Sequence, residues 1–201
     1  MLFGKLGEKF TEELFEGNTK AYGLYHADQN RGETRKVKVT DFLYEDHLKG
    51  ILSLGIIPIR EDNTCLFGVI DIDEHKKDKE LRKVLNHKAF ARKVGELNLP
   101  LIVTRSRTGG IHCYHFVSQP IPASEMVKRL SEWADILGHN SAEIFPKQTN
   151  LDEGMTGNWI NLPYHKGNER YGFDDTGKAL SLNGFLNYVQ QVKNMDVMTI
   201  D

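Results

Sequence analysis

The segment Val69-Ile70-Asp71-Ile72-Asp73 constrains this chain more than any other. An apolar run that begins near Leu66 ends in two carboxylates one residue apart. Side chains alternate along a strand, so Asp71 and Asp73 share a face, about 6.6 Å apart along the chain. The fold must therefore contain a sheet in which one strand ends with two like charges on one side. Such charges repel unless something positive lies between them. Oxygen-only ligands favour a hard divalent ion, Mg²⁺ or Mn²⁺, over Zn²⁺. The plainer alternative is a strand that ends in water with both carboxylates solvated.

The chain has 201 residues, enough for one good core or two small lobes sharing one. With 39% hydrophobic and 27% charged residues it reads as a globular protein. No apolar run approaches a membrane span, and Met1-Leu2-Phe3-Gly4-Lys5 lacks the long apolar region of a secretory signal. Cys65 and Cys113 lie in apolar, strand-like stretches and read as buried free thiols of a reducing compartment. No Cys/His spacing fits a zinc site. A net charge of −2 excludes a globally basic nucleic-acid coat, so any such contact must use local patches. Two basic clusters are candidates: Arg31, Arg35, Lys36 and Lys38, and then Lys76, Lys77, Lys79, Arg82 and Lys83.

Periodicity predicts helices over 8–16, 40–52 (with Thr40 as cap), 78–97, 123–138 and 182–193. The apolar face of the third shifts near Asn86, which implies a break there. Strands are expected over 20–27 and 34–39 around a polar turn from Asp28 to Glu33. Others are expected over 56–59, 64–73, 101–105, 111–117, 142–145, 158–162 and 170–173. Hairpins mixed with crossovers indicate an α+β fold.

Between two of these strands lies Thr104-Arg105-Ser106-Arg107-Thr108-Gly109-Gly110-Ile111-His112. Two glycines permit a tight turn and close backbone approach. Arginines, hydroxyls and free amide N–H groups suit a polyphosphate, and His112 opens the next strand. A plain Gly-Gly hairpin with solvated arginines is the simpler alternative. Further on, Glu143-Ile144-Phe145-Pro146-Lys147-Gln148 offers a third carboxylate followed by two polar side chains. An edge-strand glutamate beside a surface lysine has the same pattern.

The order of these motifs resembles the archaeo-eukaryotic primase superfamily, and more closely the primase domain of phage and conflict-system (TOTE-type) primase-polymerases. The matching text starts with Asp46-His47-Leu48-Lys49-Gly50 and Asp62-Asn63-Thr64-Cys65. It runs through the Asp71/Asp73 strand, the Arg105–His112 loop and the Glu143 segment to Gly157-Asn158-Trp159-Ile160-Asn161-Leu162-Pro163. The resemblance implies one catalytic domain, with an α/β N-terminal module over about 1–60 packed against an RRM-like catalytic unit over about 61–201. It implies Asp71, Asp73 and Glu143 as catalytic metal ligands for two Mg²⁺ or Mn²⁺ ions. It implies Arg105, Ser106, Arg107, Gly110, His112, Lys147 and Gln148 as nucleotide-binding residues. Gly110 stands where many members carry serine. Ala142 stands where the conflict-system type commonly carries aspartate.

The implied activity is DNA primase or primase-polymerase: templated nucleotidyl transfer on single-stranded DNA, with NTP or dNTP as substrate. A helicase domain or protein is the expected further partner, and no membrane. The expected location is the cytoplasm of a bacterial or phage-infected cell. Arg31, Arg35, Lys36 and Lys38 are the expected template contacts. Two rival readings remain. A replication-initiator endonuclease needs His-h-His, whereas His112 and His115 are spaced to face opposite sides of a strand. A non-catalytic RRM-like module would use sheet aromatics, and Tyr114 and Phe116 alternate in phase.

Overall fold

The computed structural model describes residues 9–10, 14–73 and 85–198. In chain order the elements are β1 (Tyr22–His26), β2 (Arg31–Arg35), α1 (Asp41–Lys49), β3 (Leu54–Ile56) and β4 (Thr64–Ile72). Next come α2 (His87–Glu96), β5 (Ile102–Arg105), β6 (Ile111–Pro122), α3 (Ala123–Leu137) and β7 (Glu143–Phe145). The chain continues through β8 (Ile160–Asn161), a short 3₁₀ turn (His165–Gly167), β9 (Gly172–Phe173) and α4 (Leu182–Met198). Helices and two wholly antiparallel sheets make a mixed architecture. Of the helix expected over 8–16, residues 9–10 are helical, 14–16 are a turn and irregular chain instead, and the rest lie outside the described residues, as do the first part of the helix expected over 78–97 and the Lys76–Lys83 cluster. No helix among the described residues is long and apolar enough to cross a membrane.

The first sheet has the order β2-β1-β3-β8. Its hairpin is tighter than the sequence suggests. Asn30 takes a left-handed φ of 47°, so the turn closes before Arg31 and β2 ends at Arg35 instead of spanning 34–39. The strand expected over 56–59 is likewise displaced, to Leu54–Ile56. Pro58 has no N–H to give a ladder, and Ile57 and Ile59 turn away to the second core. β8 pairs Gly55 with Asn161, so this sheet draws on chain both early and late in the sequence.

Thr40 is the N-cap residue of α1, but its side chain makes no capping bond. What ties α1 down is His47, which is fully buried. Its Nδ1 accepts the Leu54 N–H at 3.0 Å, so Nε2 carries the proton and donates to the Pro163 carbonyl at 2.9 Å. Burial pulls its pKa from 6.5 to about 3. Between those values the unfolded chain binds the extra proton, so stability rises with pH and is lost as pH falls from 6.5 towards 3. Each pH unit inside that window costs up to about 1.4 kcal/mol. Melting temperatures between pH 7 and pH 4 should fall less steeply for His47→Ala than for the unaltered chain. Parallel slopes would refute the linkage.

The second sheet has the order β7-β4-β6-β5-β9 and is covered on both faces. On one face Ile70, Ile72, Val103, Ile111 and Cys113 share a core with Val94 of α2 and with Met126, Leu130 and Leu137 of α3. α3 follows its 3.6-residue pattern and stops at Gly138, whose φ of 81° lets its N–H reach the Ala134 and Asp135 carbonyls. α2 starts where the sequence pattern breaks. Asn86 is its N-cap, and its side chain accepts the Ala89 N–H at 3.1 Å. On the other face Phe67, Val69, Tyr114, Phe116 and Phe145 pack with Tyr22, Leu54 and Ile56 of the first sheet and with Phe185 and Val189 of α4. Both cysteines are buried free thiols; burial pushes Cys65 up to about 12 and raises Cys113 as well, so neither is a ready nucleophile.

Candidate active site

β4 lies between β6 and β7, and the register of the three strands builds a row. Asp71 stands opposite His112 on one side and opposite Glu143 on the other. Alternation puts Asp71 on the face of Phe67 and Val69, the face turned toward the first sheet. His112 Nε2 is 3.3 Å from Asp71 Oδ1, yet that oxygen is buried without a hydrogen bond. An unsatisfied, nearly buried carboxylate oxygen is costly unless a ligand completes it.

Asp73 follows directly after β4 and is set by the glycine loop. Thr108 Oγ1 donates to Asp73 Oδ1 at 3.2 Å, and Ser106 Oγ lies 3.1 Å from Thr108 Oγ1. The Gly110 carbonyl accepts from the Ser106 N–H and from His87 Nε2, each at 2.9 Å. Gly110 is required by space: a Cβ there would sit 2.1 Å from Asp73 Oδ1 and 2.7 Å from the Ile72 carbonyl oxygen. The loop therefore meets Asp73 with a hydroxyl at Thr108 and with a position, Gly110, that has no room for a side chain.

Glu143 is more open. Its carboxylate is held by Lys147 Nζ at 2.8 Å, and Gln148 pairs instead with Asn158, its Nε2 donating to Asn158 Oδ1 at 2.6 Å. Asp71, Asp73 and Glu143 line a pocket of about 110 Å³ together with His139 and Ser141. Among the described residues no three His, Cys, Asp or Glu side chains converge as a ready metal cluster. The donor set itself fits a hard divalent ion: two carboxylates on one face, one with a buried oxygen lacking a hydrogen bond.

The sequence candidates separate spatially. Asp71, Asp73, Ser106, Gly110, His112, Glu143 and Lys147 gather around the end of β4. Arg105 does not join them. It alternates to the face opposite Thr104 and lies 5.8 Å from the Tyr171 ring centroid. Arg107 reaches the first sheet, its guanidinium 3.8 Å from the Tyr25 ring centroid. There it lines a cleft of about 670 Å³ with His26, Ser53, His165, Lys166 and Arg170, a group that sequence reading missed; Asp28 and Glu169 also line it, and Glu169 pairs with His165 at 2.8 Å and Lys166 at 3.0 Å. Burial lowers the pKa of the Arg170 guanidinium, and the neighbouring Arg107 charge lowers it further. No sequence signal marks this group; in the structure Tyr164, Lys166 and Arg170 take left-handed φ of 60°, 56° and 57°, a cluster of backbone strain. Arg31, Arg35, Lys36 and Lys38 are all exposed, with Glu33 pairing Arg35 at 3.1 Å.

Two rival readings meet contrary geometry. Tyr114 and Phe116 are 0% and 1% exposed and stack on each other in the core, so they present no surface to a base. His112 faces Asp71, whereas His115 turns to Trp133 on the other side of the sheet, so they cannot share a metal.

A family profile described as "TOTE conflict system, Archaeo-Eukaryotic Primase domain" matches residues 15–200. The chain belongs to the TOTE archaeo-eukaryotic primase family. No curated protein matches it. The family is one of primase-type nucleotidyltransferases, and in this TOTE primase domain the match takes in both sheets and every residue around the end of β4.

Proposed function

We propose that this domain performs template-directed nucleotidyl transfer on single-stranded DNA, as the primase-polymerase of a phage or mobile element, at the end of β4. One observation carries the reading: Asp71, with a buried oxygen that lacks a hydrogen bond, sits between His112 and Glu143 in one cross-strand row. The strand order β7-β4-β6-β5, with helices after β4 and β6, supports an RRM-like β-α-β-β-α-β catalytic unit.

Asp71 and Asp73 would hold Mg²⁺ or Mn²⁺, with Glu143 as third carboxylate. When bound, two such ions would acidify the primer 3′-hydroxyl and offset the charge on the leaving pyrophosphate. The protein's own part is position and charge. His112, fixed by its strand, directs Nε2 to the oxygen of Asp71 and is placed to donate to a phosphate. Thr108, itself bonded to Ser106, donates to Asp73 and holds it in place. Lys147, now neutralising Glu143, and Arg107, in the cleft beside the first sheet, would be the cations that meet a triphosphate.

Incubating the purified protein with single-stranded template, labelled NTPs or dNTPs, and Mg²⁺ or Mn²⁺ tests this directly. Labelled product that depends on template and metal is the expected result; none under any pairing of substrate and metal would refute it. His112→Ala and Arg107→Ala should each weaken nucleotide binding at least about tenfold, since one charged hydrogen bond is worth roughly 1.5–3 kcal/mol. Template affinity should change less. Equal losses for template and nucleotide would show that the loop serves the strand instead.

A further inference from the structure

Trp159 lies flat on the first sheet, on a floor of three glycines from three adjacent strands. A Cβ at Gly23 would come within 2.0 Å of its indole, at Gly55 within 2.3 Å and at Gly32 within 2.8 Å. Its Nε1 donates to Thr34 Oγ1 at 3.2 Å, which fixes the ring in its plane. One indole face is thus spent on backbone. The side chain is half-buried and also packs against the second core, and among the described residues no other aromatic ring stacks on it.

Two chains of contacts link this platform to the acidic row. Along β1, Tyr25 shares the face of Gly23 and carries the Arg107 guanidinium, which belongs to the loop that positions Asp73. In the other, Asn158 is bonded to Gln148, the neighbour of Lys147, which holds Glu143. A flat aromatic ring flanked by a guanidinium, an ammonium and paired side-chain amides suits a nucleobase whose phosphates lie against the cations.

We propose that the outer face of Trp159 is a stacking platform for a nucleobase at the catalytic cleft. This rests on the nucleotidyl-transfer reading for its ligand class but not on catalysis, so it is tested by binding without added metal. Trp133 is the only other tryptophan and lies on α3 against His115. Trp133→Phe therefore leaves Trp159 as the sole indole emitter. Its fluorescence is followed while a 15-mer of deoxythymidine, an abasic strand of equal length, or dTTP is added to the full chain. Stacking quenches indole emission, so the base-bearing strand or dTTP should quench and the abasic strand should not. Quenching by dTTP alone assigns the platform to the incoming nucleotide, and by the oligomer alone to the strand; either supports the proposal. Emission unchanged by both, or quenched equally by the abasic strand, overturns it. In the native background, Trp159→Leu should weaken the quenching ligand by about five- to a hundredfold, the equivalent of one base–aromatic stack. Trp159→Phe should restore much of that loss; equal binding by all three chains would also overturn it. If quenching occurs but no nucleotide is incorporated, the platform stands and the catalytic reading falls.

Discussion

Asp71→Asn or Asp73→Asn should reduce templated synthesis at least about a thousandfold, about 4 kcal/mol of barrier, while the chain stays folded. The charge is what the site needs, and asparagine keeps the shape while removing it. Without metal the melting temperature should hold or rise. Asp71 and Asp73 repel across one strand face, and the carboxylate of Asp71 has one oxygen buried without a hydrogen bond. With Mn²⁺ added, the unaltered chain should gain stability by mass action and either variant should gain less. Primer extension and thermal melts with and without Mn²⁺ measure both effects. Synthesis at the unaltered rate from either variant would sink the proposed site.

The next largest effect should come from one added methyl group. Gly110→Ala puts a Cβ 2.1 Å from Asp73 Oδ1, 2.7 Å from the Ile72 carbonyl oxygen and 3.1 Å from Ser106 Oγ. The backbone has little room to yield. Ile72 is paired with Ile111 across the β4–β6 ladder, and the Gly110 carbonyl is held by His87 and Ser106. Asp73 must therefore swing out of place. Synthesis should fall about a hundredfold, as a displacement near 1 Å can cost. Stability should fall by about 1–3 kcal/mol through overpacking. A Gly110→Ala chain that extends primers at the normal rate would show that Asp73 works from another position. The serine that the family resemblance suggests at this position would meet the same oxygen, so this chain's site is built around its absence.

Much of the molecule was legible because its signals are local. The alternation in β4 put Asp71 and Asp73 on one face, and the helical spacing of Met126, Leu130 and Leu137 marked α3. What failed depended on contacts distant in sequence. Gly32 reads as turn material between Asp28 and Glu33, yet it lies in a strand because Trp159 covers it. Gly55 misled in the same way, and the apolar run from Ile56 to Ile59 looked more strand-like than Leu54–Ile56. Arg105 and Arg107 look equivalent in the loop, but the register of β5 sends the first to the opposite face. The Glu143–Lys147 ion pair has helical spacing without a helix, and the chain folding back after Phe145 makes it. Arg170, Lys166 and His165 join Arg107 only through tertiary packing, which no sequence period encodes.

The placement of β8 has a consequence for how the protein is made. β3 waits for Asn161 to complete its pairing, so its outer edge stays open while roughly half the chain is still to be synthesised. Closing a loop that long is slow, and an unpaired strand edge is a template for association with other chains. The glycine floor is also bare until Trp159 arrives to cover it. A chain released early from the ribosome would carry the complete Asp71/Asp73 strand but an unfinished first sheet. Quality control by proteolysis would then meet an exposed sheet edge in just those products that already bear the acidic pair.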